Sequence, residues 1–174
     1  MCVMYSYWEG VLVMAAGQQI DNLLAALEQS VESGLAYFQG PGSQSKVMIG
    51  HWGPREVLCH LVWWHQVTVE GMESVAKGGA PYRIYASVDE MNARAVGRMA
   101  GRHINQPDTY GPSLIDSARQ WQARLAQVVR TIPDPNTTVL VMGDGNGRSV
   151  LQRLETMAHH WQEHVKELQA LNAA

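Results

Sequence analysis

Apolar residues along this chain fall into four long stripes of helical spacing, separated by glycine, proline and polar turns. The first is Ile20, Leu23, Leu24, Leu27, Val31, Leu35 and Phe38, which predicts a helix over about 18–38 with one buried face. Gly40-Pro41-Gly42 ends it, and a polar loop runs to about Trp52. The second helix opens at Gly53-Pro54, with proline in its favourable first-turn position. Its apolar side is Val57, Leu58, Leu61, Val62, Trp64 and Val69, and Gly78-Gly79 marks its end. Ser87 and Glu90, in capping-box spacing, announce a short helix over about 88–99. The third long helix opens at Pro112-Ser113, buries Leu114, Ala118, Trp121, Leu125 and Val128, and stops before Pro133. Thr137 to Met142 has strand-like composition, and Asp144-Gly145 and Asn146-Gly147 are turn dipeptides, so a hairpin-like turn is expected there. Ser149 and Gln152 cap the fourth long helix, whose stripe is Val150, Leu151, Leu154, Met157, Ala158, Trp161, Val165 and Leu168. Four such helices predict an all-α four-helix bundle, with the short helix inside the long connection between the second and third.

Composition narrows this picture. A chain of 174 residues, 46% hydrophobic and 17% charged, suits one well-buried domain, read here as 18–174. Residues 1–17 are read as an N-terminal extension, packed or disordered, with Met14 a second plausible start. They are apolar but lack a basic n-region, and Glu9 interrupts them, so neither a signal peptide nor a membrane span is expected. A net charge of -3 leaves no basic surplus for nucleic acid. The two cysteines, Cys2 and Cys59, cannot build a disulfide framework and point to a reducing, cytoplasmic setting.

Seven histidines are the candidate chemistry. His160 and His164 are four apart, about 40° around a helix and one turn along it, so two imidazoles can reach one metal ion from the same side. They lie on or beside the stripe of Met157, Trp161, Val165 and Leu168. His60 faces the core side of the second helix among Val57, Leu61 and Trp64. Three histidines from two helices would leave coordination positions open, as catalytic rather than structural sites do. The alternative for His160 and His164 is two core-edge histidines bonded to nearby backbone or hydroxyl groups. His159 shares a face with Glu163 and reads as solvated or paired with it. His65, about 140° from His60, reads as an edge residue, and His51 and His103 as loop residues.

Other motifs weigh less. His160 to His164 also spells H-x-x-E-H, but only ten residues follow, so a further downstream ligand is not expected and the match reads as coincidence. Gly143 to Arg148 has the glycines of a phosphate loop without its frame. Cys59 reads as a buried structural thiol, and Trp52 as a hydrophobic staple for the second helix. Six Trp against one Phe raise an aromatic pocket as the alternative to core packing. Its candidates are Trp64 and Trp161, with Asn92 and Arg94 of the short helix at the mouth.

In Trp52 to Leu61, in Val88 to Asn92 and in His160 to His164, the chain resembles the DinB-like superfamily of metal-binding helical bundles, over roughly 18–172. The resemblance implies an up-down-down-up bundle, a divalent metal on His60, His160 and His164, and a homodimer. It further implies thiol S-transferase or isomerase chemistry on a small-molecule substrate, with a low-molecular-weight thiol as co-reactant. Metal-dependent hydrolysis is the second reading, and a non-catalytic binding or stress-protection module the third. Many relatives carry a Gly-Gln pair after the last histidine; here Val165 to Leu168 stands in its place, which leaves the triad intact and the substrate open. An all-imidazole site accepts Zn, Ni, Fe or Cu.

Overall fold

A computed structural model describes the backbone of residues 3–107 and 111–173, and the side chains of 17–107 and 111–173. The protein is predominantly helical, with a small sheet: α1 Val3–Gln39, α2 Pro54–Ala76, β1 Tyr82–Arg83, α3 Val88–Arg98, α4 Leu114–Val128, β2 Thr138–Val141, β3 Gly147–Ser149 and α5 Val150–Asn172. Each expected helix is present. The backbone of α1 runs back to Val3 rather than starting near Gln18. The side chains of 3–16, and with them the reading of 1–17 as an extension, lie outside the described residues.

The helix ends follow from the sequence. Ser87, Ser113 and Ser149 each accept a hydrogen bond from the backbone N–H three residues on, satisfying a donor that the first turn would otherwise leave free. Gln152 returns the favour to the Ser149 N–H. Gly53 caps α2, and its N–H is taken by Glu56.

Packing joins α1 to α5, α2 to α4, α2 to α5 and α1 to α4. Ser30 meets Gln162 and Tyr37 meets Asn172, so α1 and α5 run in the same direction. Glu32 meets Arg119 and Asp21 meets Arg130, so α4 and the turn that follows it run against α1. His60 meets His160 and Thr68 meets Arg153, so α2 runs against α5. The α1–α5 approach is close: a Cβ on Gly34 would come within 2.7 Å of the Trp161 ring. Leu27, Val31, Leu35 and Phe38 are fully buried here, each contributing about 1.5–3 kcal/mol of apolar burial.

A small three-stranded sheet accompanies the helices. β2 and β3 form the expected hairpin, pairing Thr138 with Ser149 and Leu140 with Arg148. The strand that completes the sheet, β1, runs parallel to β2 with Tyr82 opposite Leu140; two residues after a turn carry too little pattern to be read as a strand. The sheet lies on α2, where a Cβ on Gly71 would meet the Val139 carbonyl at 2.1 Å. It therefore fixes where α5 begins relative to α2. Trp121 is half-buried rather than core, with the Arg124 guanidinium over its ring at 4.4 Å. Among the described residues, no helix is long and apolar enough to cross a membrane.

Candidate metal centre

Two antiparallel helices bring the three histidines together. His60 lies in the second turn of α2, and His160 and His164 lie on successive turns of α5. The Nε2 atoms of His60 and His160 are 2.8 Å apart, and those of His164 and His160 are 3.1 Å apart. One ring nitrogen from each residue falls in a group no wider than 4.8 Å, so the three could hold a metal ion.

Hydrogen bonding alone satisfies this cluster poorly. The Nε2 of His160 faces two other Nε2 atoms. A neutral imidazole nitrogen is either a donor or an acceptor with one in-plane lone pair, so it serves one neighbour well and leaves the second contact unmade. A shared cation at about 2.0–2.1 Å from each nitrogen would accept all three lone pairs. The imidazoles are held in the neutral form that such binding needs. Burial, then its neighbours His60 and His164, pushes the His160 pKa down to about 2. Burial and the facing His164 push His60 down to about 3, with the Asn92 side chain pulling the other way. Burial lowers His164 as well, opposed by Glu167 and Glu163.

With Nε2 turned to an ion, each Nδ1 carries the proton. The Nδ1 atoms of His60 and His164 are buried without a hydrogen-bond partner. Glu167 Oε2 is 3.6 Å from His164 Nδ1, close to where a carboxylate supports a metal-bound imidazole.

The cluster opens on a cavity of about 610 Å³, lined by Trp52, His60, Trp64, Val88, Asn92, Met142, Arg153, His160 and His164, with Glu155, Thr156, His159 and Glu163 at its edge. This is the size and the largely apolar, polar-tipped lining of a small-molecule site. Trp64 is one wall, and its Nε1–H donates to Asn92 Oδ1 at 3.0 Å, which ties α3 to α2 at the mouth. Trp52 lies against the His60 ring, with centroids 5.2 Å apart, so the residue expected to staple α2 also covers a ligand candidate.

Two of the four pocket candidates stand elsewhere. Trp161 is buried edge-on to Phe38 beneath Gly34 and does not line the cavity. It is about 100° around α5 from His160, which turns it to α1. Arg94 pairs with Glu90 on the outer face of α3 and lines a different surface groove. His159 is exposed and sits 3.0 Å from Glu163, as its spacing suggested. Cys59 is buried, and burial raises its pKa to about 11, which makes it an inert thiol. His51 and His103 are exposed loop residues.

His65 overturns its expected place at an edge. It is 0% exposed, and neither ring nitrogen has a hydrogen-bond partner among the described residues. α2 is covered on several sides at once, by α4, α5, α3 and the sheet, so a residue far around the helix from His60 is as deep as His60 itself. The run from Val57 to Val69, with nine apolar residues spread around the helix, was the available signal: a helix hydrophobic on most sides is a central one. Arg153 is the second buried polar residue that sequence reasoning passed over, since an arginine in the first turn of an amphipathic helix ordinarily points to water.

No protein-family model matches this chain, no curated protein matches its sequence, and no solved structure matches its fold.

Proposed function

We propose that this protein is a divalent-metal-dependent enzyme of the DinB-like class, with His60, His160 and His164 as metal ligands and a small molecule as substrate. The single observation that carries the reading is the convergence of three neutral Nε2 atoms at the edge of a cavity. The directions in which the long helices run against one another fit an up-down-down-up bundle. Thiol S-transfer or isomerisation with a low-molecular-weight thiol is the preferred chemistry, in a cytoplasmic homodimer; metal-dependent hydrolysis is the alternative, and a non-catalytic binding or stress-protection module with a helical dimer the third reading. What favours thiol transfer is the resemblance of Trp52 to Leu61, Val88 to Asn92 and His160 to His164 to that class. What favours an enzyme over a structural role is that the three ligands come from one side and face open space.

A bound divalent ion would supply a Lewis acid that holds a thiol or a water in its deprotonated form. The chain contributes the rest. Burial keeps the three imidazoles in the neutral, singly protonated form at neutral pH, with one ring nitrogen free to ligate. Trp52 and Trp64 exclude water from one side of His60, and the bond from Trp64 to Asn92 holds that wall in one rotamer. Glu163 and His159 pair at the rim rather than in the cluster.

Metal analysis of protein purified without an affinity tag tests the reading. The expected result is one equivalent per chain, lost in His60→Ala and in His164→Ala. Unchanged metal content in both variants would sink the ligand assignment. In Co(II)-substituted protein, a low-molecular-weight thiol should add an intense near-ultraviolet sulfur-to-metal band. A thiol that leaves the spectrum unaltered would reject thiol transfer and favour hydrolysis or binding.

A further inference from the structure

Arg153 is a buried cation with no carboxylate partner among the described residues. Five other arginines reach carboxylates: Arg55, Arg94, Arg119, Arg124 and Arg130. Arg153 is only 5% exposed, deeper than any of them, and no carboxylate lies within ion-pair distance among the described residues. Its one hydrogen-bond partner among the described residues is Thr68 Oγ1, which accepts from Nε at 3.1 Å and Nη2 at 2.8 Å. That hydroxyl in turn donates to the Trp64 carbonyl. A guanidinium has five N–H donors, and one hydroxyl oxygen neutralises none of its charge. Removing such a group from water costs several kcal/mol unless a counter-charge arrives.

The cavity provides the place for that counter-charge. Arg153 lines it together with the three histidines, and its guanidinium lies 5.6 Å from the Trp64 ring centroid. It stands seven residues before His160 on α5, on the order of 10 Å along the helix. Thr68 holds the side chain in place from α2. The acidic residues of the cavity, Glu155 and Glu163, are at its exposed edge, and Glu163 is engaged with His159. They disfavour a polyanion and leave room for a single negative charge in the interior.

We infer that Arg153 is the anchor for a carboxylate on the small molecule that occupies this cavity. The ligand class is a monocarboxylate with an apolar body: the carboxylate meets Arg153, the body lies along Trp64 and Met142, and the far end reaches the histidines. The inference rests on reading this cavity as a substrate site, but not on the metal.

The test is calorimetric binding of 3-phenylpropionate against 3-phenylpropionamide, which share shape and differ in charge. The titrations use full-length protein, with and without added Zn²⁺. The wild type should bind the carboxylate at least tenfold more tightly than the amide. Arg153→Met should erase that preference, keep the amide affinity and keep the wild-type metal content. Equal binding of the two probes by the wild type, or a preference that survives in Arg153→Met, would overturn the assignment and leave Arg153 as a tether for Thr68. If Arg153→Met does not fold, the wild type decides: the carboxylate must raise the melting temperature more than the amide at equal concentration, and failure to do so rejects the proposal. Because the preference is also read in metal-free His164→Ala, loss of the metal assignment alone leaves it in place, whereas loss of Arg153 recognition leaves metal content untouched.

Discussion

Two groups of buried histidine nitrogens lie less than two turns apart on α2 and have opposite characters. At His60, three imidazoles share one small volume, their Nε2 atoms face one another, and a cavity gives access. At His65, one imidazole is more completely enclosed, meets no hydrogen-bond partner, and touches the Trp161 side of the core. Both have lost their proton affinity to burial, to about 3 in each case. Burial and a depressed pKa therefore do not distinguish a site from a packed residue. Convergence of several donors at an open cavity does, because only that arrangement lets an incoming ligand relieve the unsatisfied groups.

The comparison can be broken by substitution. Trp161, the sequence neighbour of His160, belongs to the His65 side, so Trp161→Ala should cost about 3–5 kcal/mol in chemical denaturation. Metal bound per folded chain should stay at the wild-type level. Metal loss in that variant would mean that the two regions are one.

Ligand linkage separates them next. Free Zn²⁺ at a hundred times its Kd should raise wild-type stability by about 2.7 kcal/mol, and a chelator should reverse it. His160→Ala should show no such gain, whereas His65→Leu should show all of it.

Substitution isolates the share of His65 in the pH dependence. Its folded pKa lies near 3, below the 6.5 of an unfolded chain, because burial disfavours the imidazolium; Gln122 pulls partly the other way, and Arg153 adds a lesser repulsion. Its contribution to stability is complete above pH 6.5 and is lost as pH falls from 6.5 toward 3. The slope is about 1.4 kcal/mol per pH unit for each such group. His65→Leu should flatten the acid limb of the stability curve in the metal-free protein; an unaltered limb would show that His65 is not enclosed.

The smallest effect is expected at the mouth. Asn92→Ala removes the acceptor of the Trp64 N–H and should cost about 1 kcal/mol, together with a change in Trp fluorescence and no change in metal stoichiometry.

Much of this was legible in the residues. Ser87, Ser113 and Ser149 cap the helices they were expected to cap, and the turn dipeptides after Met142 close the hairpin between β2 and β3. His60, His160 and His164 were separable from the other histidines because an amphipathic stripe fixes direction: a histidine within it points inward. The same reasoning failed at His65, at Arg153 and at Trp161. A stripe describes one helix against one neighbour, while α2 has neighbours on nearly every side, so angular distance from His60 said nothing about depth. For Trp161 the stripe correctly gave burial but not which neighbour it would face, and α1 rather than the cavity receives it.

Local sequence determined the helices, their ends apart from the start of α1, and which three imidazoles could share an ion, because capping, turn chemistry and 3.6-residue periodicity act within a few residues of the chain. Tertiary structure decided the rest: that the sheet sets α5 against α2, that Trp52 covers His60, and that Arg153 comes to rest in the cavity with no carboxylate partner among the described residues. Those outcomes depend on contacts between residues as many as 100 positions apart, and on a charge whose burial is set by neighbours on other elements, so no local pattern carries them.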